Sequence, residues 1–224
     1  LDGLYFQENR GKEILEQIES AFKAGKHVIF TGPPGTGKTE IAKRVCLALL
    51  ESHSDTYSGY EMTTATADWS TFETVGGYMP TETDGENLSF ETGQVLRRFK
   101  QDGTQENELL VIDEINRADI DKAFGQLFTL LSGQEVQLPY RRGGNEIVVK
   151  QADSSSGTPA PHEYIMPSSW RLLATMNTYD KTSLYELSYA FMRRFSFIHV
   201  DAPQVPDTRA ERIDLLEQYA DAWG

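Results

Sequence analysis

Apolar positions change their period several times along the chain, and each change marks an element. Ile14, Leu15, Ile18 and Phe22 recur at helical spacing and Gly25 supplies a stop, so a helix is predicted ahead of that glycine. "HVIFT" (27–31) is short, apolar and β-branched, the mark of a buried strand. "KTEIAKRVCLALLES" (38–52) returns to the helical period. "LLVIDE" (109–114) predicts a second buried strand. A helix follows from Asp119, with Ile120, Phe124, Leu127, Phe128 and Leu131 on one face. "WRLLATMN" (170–177) reads as a strand, "SLYELSYAFMRR" (183–194) as a helix with Leu184, Leu187 and Phe191 on one side, and "FSFIHV" (195–200) as a last strand. Strands alternating with helices predict the α/β class, a parallel sheet with helices on both faces.

Two stretches break the alternation. Positions 60–100 hold short β-prone pieces around "VGGYMP" and "LSFETG". Positions 134–150 read as a hairpin, "EVQL" and "EIVV" around "PYRRGGN", with Arg141 and Arg142 at its tip, either touching DNA or an acidic partner or, the reading favoured, forming a solvated hairpin end. "QADSSSGTPAPHE" (151–163) is a loop by composition.

"TGPPGTGKTE" (31–40) lies between the first strand and the helix that follows it. It matches G-x-x-x-x-G-K-[ST] from Gly32 to Thr39, and a strand before and a helix after are the context that gives the pattern a mechanism. Gly35 and Gly37 let the backbone wrap a phosphate, with Pro33, Pro34 and Thr36 filling the loop and Glu40 just inside the helix. The helix start adds its positive dipole end. Lys38 is placed to reach the β- and γ-phosphates, and the Thr39 hydroxyl to ligate Mg²⁺.

A nucleotide site also needs a carboxylate for the metal and a group to prepare water. Asp113 and Glu114 end an apolar strand side by side, which is costly without a cation nearby. Asp113 is assigned to the Mg²⁺ shell and Glu114 to the general base. Asn177 ends the next buried strand, where its amide can hydrogen-bond a γ-phosphate or the lytic water. Arg193 and Arg194 close a helix before the last strand. They are either cations interacting with a helix C-terminus or an arginine offered to a neighbouring subunit.

Charge narrows the partners. Lys and Arg number 21 against 34 Asp and Glu, a net charge of −13, which argues against a broad nucleic-acid footprint and leaves direct nucleic-acid contact open. The single cysteine, Cys46, excludes an intrachain disulfide and falls among core-type neighbours. His27, His53, His162 and His199 lack metal-ligand spacing. No apolar run is long enough to span a membrane and no signal pattern opens the chain, so the expectation is a cytoplasmic protein.

As an ordered set, "GPPGTGKT", "LLVIDE", "LLATMN" and "FMRRF" resemble the Walker A, Walker B, sensor 1 and arginine-finger motifs of AAA+ ATPases over positions 12 to 203. "DEINRAD" with "FGQLFTLLSG", and "MNTYDKTS", resemble the MoxR and McrB-like branch. Positions 65–100 would be that branch's insert in the second helix, and 134–150 its hairpin before sensor 1. The resemblance implies a P-loop NTPase core over 1–203, with a five-stranded parallel sheet sandwiched by helices. The segment 204–224 would begin a helical lid that is otherwise mostly missing. It further implies ATP or GTP with Mg²⁺, a homo-oligomeric ring (a hexamer), and a partner effector or substrate protein. Three activities remain open: a remodelling ATPase, a McrB-type GTPase motor coupled to a nuclease, and a nucleotide-dependent scaffold with little hydrolysis. Tyr78 and Met79 are either grips on a substrate in the ring pore or residues packed on their own core.

Overall fold

Backbone pairing turns the apolar runs into a five-stranded parallel sheet. The computed structural model describes residues 4, 6, 9–80, 88–152, 158–178 and 187–223. In chain order the helices are α1 (Arg10–Lys23), α2 (Lys38–Ser52), α3 (Thr71–Thr74), α4 (Ile120–Phe124), α5 (Tyr189–Met192) and α6 (Arg209–Trp223). The strands are β1 (His27–Gly32), β2 (Gly59–Thr64), β3 (Gly76–Pro80), β4 (Leu88–Thr92), β5 (Lys100–Gln101), β6 (Thr104–Gln105), β7 (Glu108–Asp113), β8 (Val136–Arg142), β9 (Asn145–Gln151), β10 (Glu163–Met166), β11 (Leu172–Asn177) and β12 (Phe195–His199). The main sheet runs β12-β1-β11-β7-β2, every pair parallel. The fifth strand that the resemblance required is therefore β2, an edge strand of half-buried residues without the apolar run that marks the others.

Alternation along the strands divides the core in two. Val28, Phe30, Leu109, Val111, Leu173 and Ile198 face one side and pack with Ile14, Ile18, Ile41 and Val45 of α1 and α2. Ile29, Leu110, Ile112, Leu172, Ala174 and Phe195 face the other. That second side meets α4, short helical turns and the extra strands, so long helices cover only one face. Cys46 is buried on the α2 side, where desolvation pushes its thiol up to about 12.

The helix expected from Asp119 to Leu131 is interrupted. Asp119 caps α4 by accepting a hydrogen bond from Lys122 N at 3.1 Å, but the chain then tightens into 3₁₀ turns at Gly125–Leu127 and Leu130–Ser132. Phe124, Leu127 and Leu130 are buried at a spacing of three, the 3₁₀ period, and Gly125 weakens the α-helix at the changeover. The helix expected over 183–194 is seen as α5 alone; residues 179–186, with Leu184, lie outside the described residues.

Besides the short β5–β6 hairpin, the extra strands form two hairpins that lean on each other. β3 pairs antiparallel with β4, and β8 with β9. β10 adds to β9 in parallel, beyond the hairpin that the sequence predicted. The turn of the second hairpin is Gly143–Gly144, both at positive φ, because Arg142 pairs directly with Asn145. Arg141 and Arg142 therefore belong to β8; Arg141 is exposed beside the turn, as a solvated hairpin end requires, and Arg142 alone turns inward. Arg142 is half-buried and donates to Tyr164 Oη (2.8 Å) and Phe90 O (2.7 Å). Tyr78 packs edge-on against Tyr140, and its hydroxyl accepts from Arg141 N at 2.8 Å.

Candidate active site

The parallel sheet brings Gly32, Asn177, Asp113 and Thr64 to one edge, since Gly32 pairs with Asn177 and Thr64 with Asp113. Ligands of open α/β sheets sit at that edge, outside the carboxyl ends of the strands. A cleft of about 650 Å³ opens there, lined by Pro34, Gly35, Gly37, Lys38, Thr39, Glu40, Asp113, Glu114, Thr175 and Asn177. Leu4, Lys43 and Arg44 complete the lining.

The loop owes its shape to glycines in two different ways. Gly35 (φ 78°) and Gly37 (φ 81°) take left-handed backbone with open space where a Cβ would stand. Their backbone can therefore approach a ligand closely. Gly32 is at φ 146°, and a Cβ there would meet Val200 O at 2.1 Å. That glycine serves the seam between β1 and the chain after β12, and it does not line the cleft. Pro33 and Thr36 also stay out of the lining; Thr36 Oγ1 donates to Pro33 O at 3.1 Å and closes the turn.

Lys38 opens α2 with only 6% of its surface exposed. Its ammonium donates to Gly32 O (3.1 Å) and Pro33 O (2.5 Å), so it is held over the loop. Burial lowers its pKa, and the nearby Asp113 and Glu114 carboxylates act in the opposite sense. Glu40, on the next turn, pairs with Arg44 at 2.9 Å and Lys43 at 3.8 Å.

Two hydroxyls converge on one carboxylate oxygen. Thr39 Oγ1 donates to Asp113 Oδ1 at 2.7 Å and Thr175 Oγ1 donates to the same atom at 2.5 Å. Thr175 Oγ1 also accepts from Glu114 N at 2.9 Å. Glu114 stands at φ 51°, ψ 47°, a left-handed conformation that costs a non-glycine residue roughly 1–2 kcal/mol. This turn takes the chain off β7, and Glu114 Oε1 accepts from Asn177 Nδ2 at 3.0 Å. Arg117 forms an ion pair with the other carboxylate oxygen. Asn116, 3% exposed, donates to Asn177 O at 3.2 Å and ties the turn to the end of β11.

The structure thus gathers Lys38, Thr39, Glu40, Asp113, Glu114 and Asn177, all singled out from the sequence, around one cleft. Arg193 and Arg194 are absent from the cleft lining. Arg193 is exposed, with its guanidinium 5.8 Å from the Tyr189 ring. Arg194 is turned inward: it donates to Phe128 O at 3.0 Å, to Ala190 O and to Ser132 Oγ. Sequence reasoning missed Thr175, Asn116 and Arg117. The available signal for Thr175 was a polar residue inside an apolar strand.

Residues 27–195 match the AAA domain family, dynein-related subfamily. The chain is 29% identical over 211 residues to the EcoKMcrB subunit of the type IV methyl-directed restriction enzyme of Escherichia coli K12, covering 91% of this chain. It spans only 41% of that relative's length. A crystal structure of NtrX from Brucella abortus in complex with ADP superposes with a TM-score of 0.51 at 17% identity, covering 96% of this chain and 40% of that one, a likeness of fold. Among the described residues no helix is long and apolar enough to cross a membrane.

Proposed function

The chain belongs to the dynein-related subfamily of AAA domains, as an AAA+ ATPase of the MoxR/McrB type, and on that premise we propose that it hydrolyses a nucleoside triphosphate at the interfaces of a cytoplasmic hexameric ring. The observation that carries the reading is the convergence of Thr39, Thr175, Asp113, Glu114 and Asn177 within hydrogen-bond distance at the mouth of the glycine loop. The loop N–H groups and Lys38 hold the phosphates. Thr39 and Asp113 offer hard oxygen donors, and one or two protein oxygens plus substrate phosphates is a usual way to hold Mg²⁺. Bound there, Mg²⁺ would neutralise charge on the transferred phosphate. Glu114 takes the proton of the attacking water, and Asn177 fixes the carboxylate that does so.

Arg193 and Arg194 divide the remaining work. Arg193 is free to enter a neighbour's cleft, while Arg194, bonded to Phe128 O and Ser132 Oγ, positions the helix end that presents it. α6 begins the lid. The likeness to a restriction-enzyme subunit supports a second reading, a GTP-driven motor coupled to a nuclease partner. Comparing turnover of ATP and GTP decides between them.

Mixing subunits tests the ring. Lys38→Ala cannot hold nucleotide, and Arg193→Ala cannot complete a neighbour. Each alone should be inactive, and a mixture should regain part of the turnover, with wild-type activity rising more steeply than linearly with concentration. Activity per subunit that is independent of concentration, with no recovery on mixing, would return both arginines to helix-end cations.

A further inference from the structure

A second cavity, of about 490 Å³, lies outside the active site, where the β5–β6 hairpin meets β4, β8 and the start of β10. Its lining includes Arg97, Lys100 and Arg142, with Glu91 and Asp102 as the acidic members. Two cations are fastened to neutral acceptors: Lys100 to Ala160 O (2.5 Å), Pro161 O (3.3 Å) and Glu163 O (3.1 Å), and Arg142 to Tyr164 Oη and Phe90 O. The third, Arg97, donates to Thr92 O at 2.9 Å and is exposed. Among the described residues none of these three cations forms an ion pair.

Hydrogen bonds to carbonyls hold these cations in place without cancelling their charge. Lys100 is 6% exposed, so its field is little screened; burial, followed by the Arg142 charge, lowers its pKa, and the Glu163 carboxylate acts in the opposite sense. A fixed positive cavity thus stands on a chain whose net charge is −13. Tyr164, Pro159 and Pro161 supply apolar wall, which suits the stem of an acidic side chain. Glu91 and Asp102 oppose a run of phosphates, because each further charge of a strand meets a carboxylate. A lone carboxylate avoids that repulsion.

We propose that this cavity is a docking site for a glutamate or aspartate side chain of a partner protein, with Arg97 as its mobile clamp and Lys100 and Arg142 as its fixed positive floor. The site is separate from the nucleotide cleft.

The test uses a fluorescein-labelled glycine-serine peptide carrying a single glutamate and its glutamine counterpart, followed by anisotropy at low ionic strength with inorganic phosphate and a single-stranded oligothymidylate as competitors. The acidic peptide should bind and the neutral one should not. Arg97→Glu should weaken binding about tenfold or more, the loss of one charge-assisted contact, and Arg97→Lys should keep most of it. Asp102→Asn should tighten binding. All three variants should keep the wild-type thermal midpoint and nucleotide turnover. Binding of the glutamate peptide no better than that of the glutamine peptide, or binding that ignores Arg97→Glu and Asp102→Asn, would overturn the proposal. So would an oligothymidylate or free phosphate that displaces the peptide more strongly than the unlabelled glutamate peptide does.

Discussion

The glycine-loop cleft and the hairpin layer solve opposite problems with similar materials. In the cleft, carboxylates gather. Asp113 and Glu114 are held by hydroxyls, an amide and a guanidinium, and the backbone is bent to place them. In the hairpin layer, cations gather. Arg142 and Lys100 are held by carbonyls and a phenol, and aromatic rings pack beside them. The cleft spends local strain to aim chemistry. The hairpin layer uses its long side chains to join strands that pair outside the main sheet. Side-chain loss should therefore appear as lost rate in one region and lost stability in the other.

The largest expected effect is in the cleft. Glu114→Gln keeps the shape and removes the base, so turnover should fall ~10²–10⁴-fold while nucleotide affinity and melting temperature hold. Single-turnover kinetics with a binding titration checks this. A variant that turns over at the wild-type rate breaks the comparison, because the strained residue would then not aim the chemistry.

A second test asks whether the two regions unfold together. His27 begins β1 at the end of the sheet away from the cleft, between Trp170 and Phe195. Burial, helped by the charges of Arg171 and Arg194, lowers its pKa from 6.5 to about 3. The folded state keeps it neutral where the unfolded chain takes up a proton. Its contribution is complete above pH 6.5 and falls as pH drops toward 3, at up to about 1.4 kcal/mol per pH unit. Urea unfolding of wild type and His27→Gln across that window should show a shallower acid slope in the variant. Separate transitions for the two regions would sharpen the contrast into two cooperative units.

The smallest effect belongs to the hairpin layer. Arg142→Met should cost about 1.5–3 kcal/mol, the range for hydrogen bonds made by a charged group. Hydrogen exchange should quicken in β3, β4, β8 and β9, with turnover at saturating nucleotide unchanged. A parallel fall in turnover would show that the layers are coupled.

The cleft was readable because its motifs are local: a strand, a glycine loop and a helix lie within a few residues, and "LLVIDE" and "LLATMN" end on their polar residues. Thr175 and Asn116 escaped because their partners lie across the sheet, a pairing that no local pattern carries. The hairpin layer was readable only in outline. "PYRRGGN" suggests a turn, but only the register reveals that Gly143–Gly144 form it and that Arg142 points into the layer. The run from Asp119 misled because apolar residues spaced by three satisfy an α-helix and a 3₁₀ turn alike.

The Thr175 hydroxyl links Asp113 Oδ1 to the Glu114 N–H through one oxygen atom. Valine has nearly the same shape and would satisfy the strand, yet it would cut that link. A lineage selected only to grip nucleotide would be free to drift to valine here. One selected for repeated cycles would not, because Asp113 and Glu114 must keep their spacing through every turnover. The residue at position 175 is therefore a record of use: across relatives, its hydroxyl should survive where the cycle matters and lapse where only occupancy does.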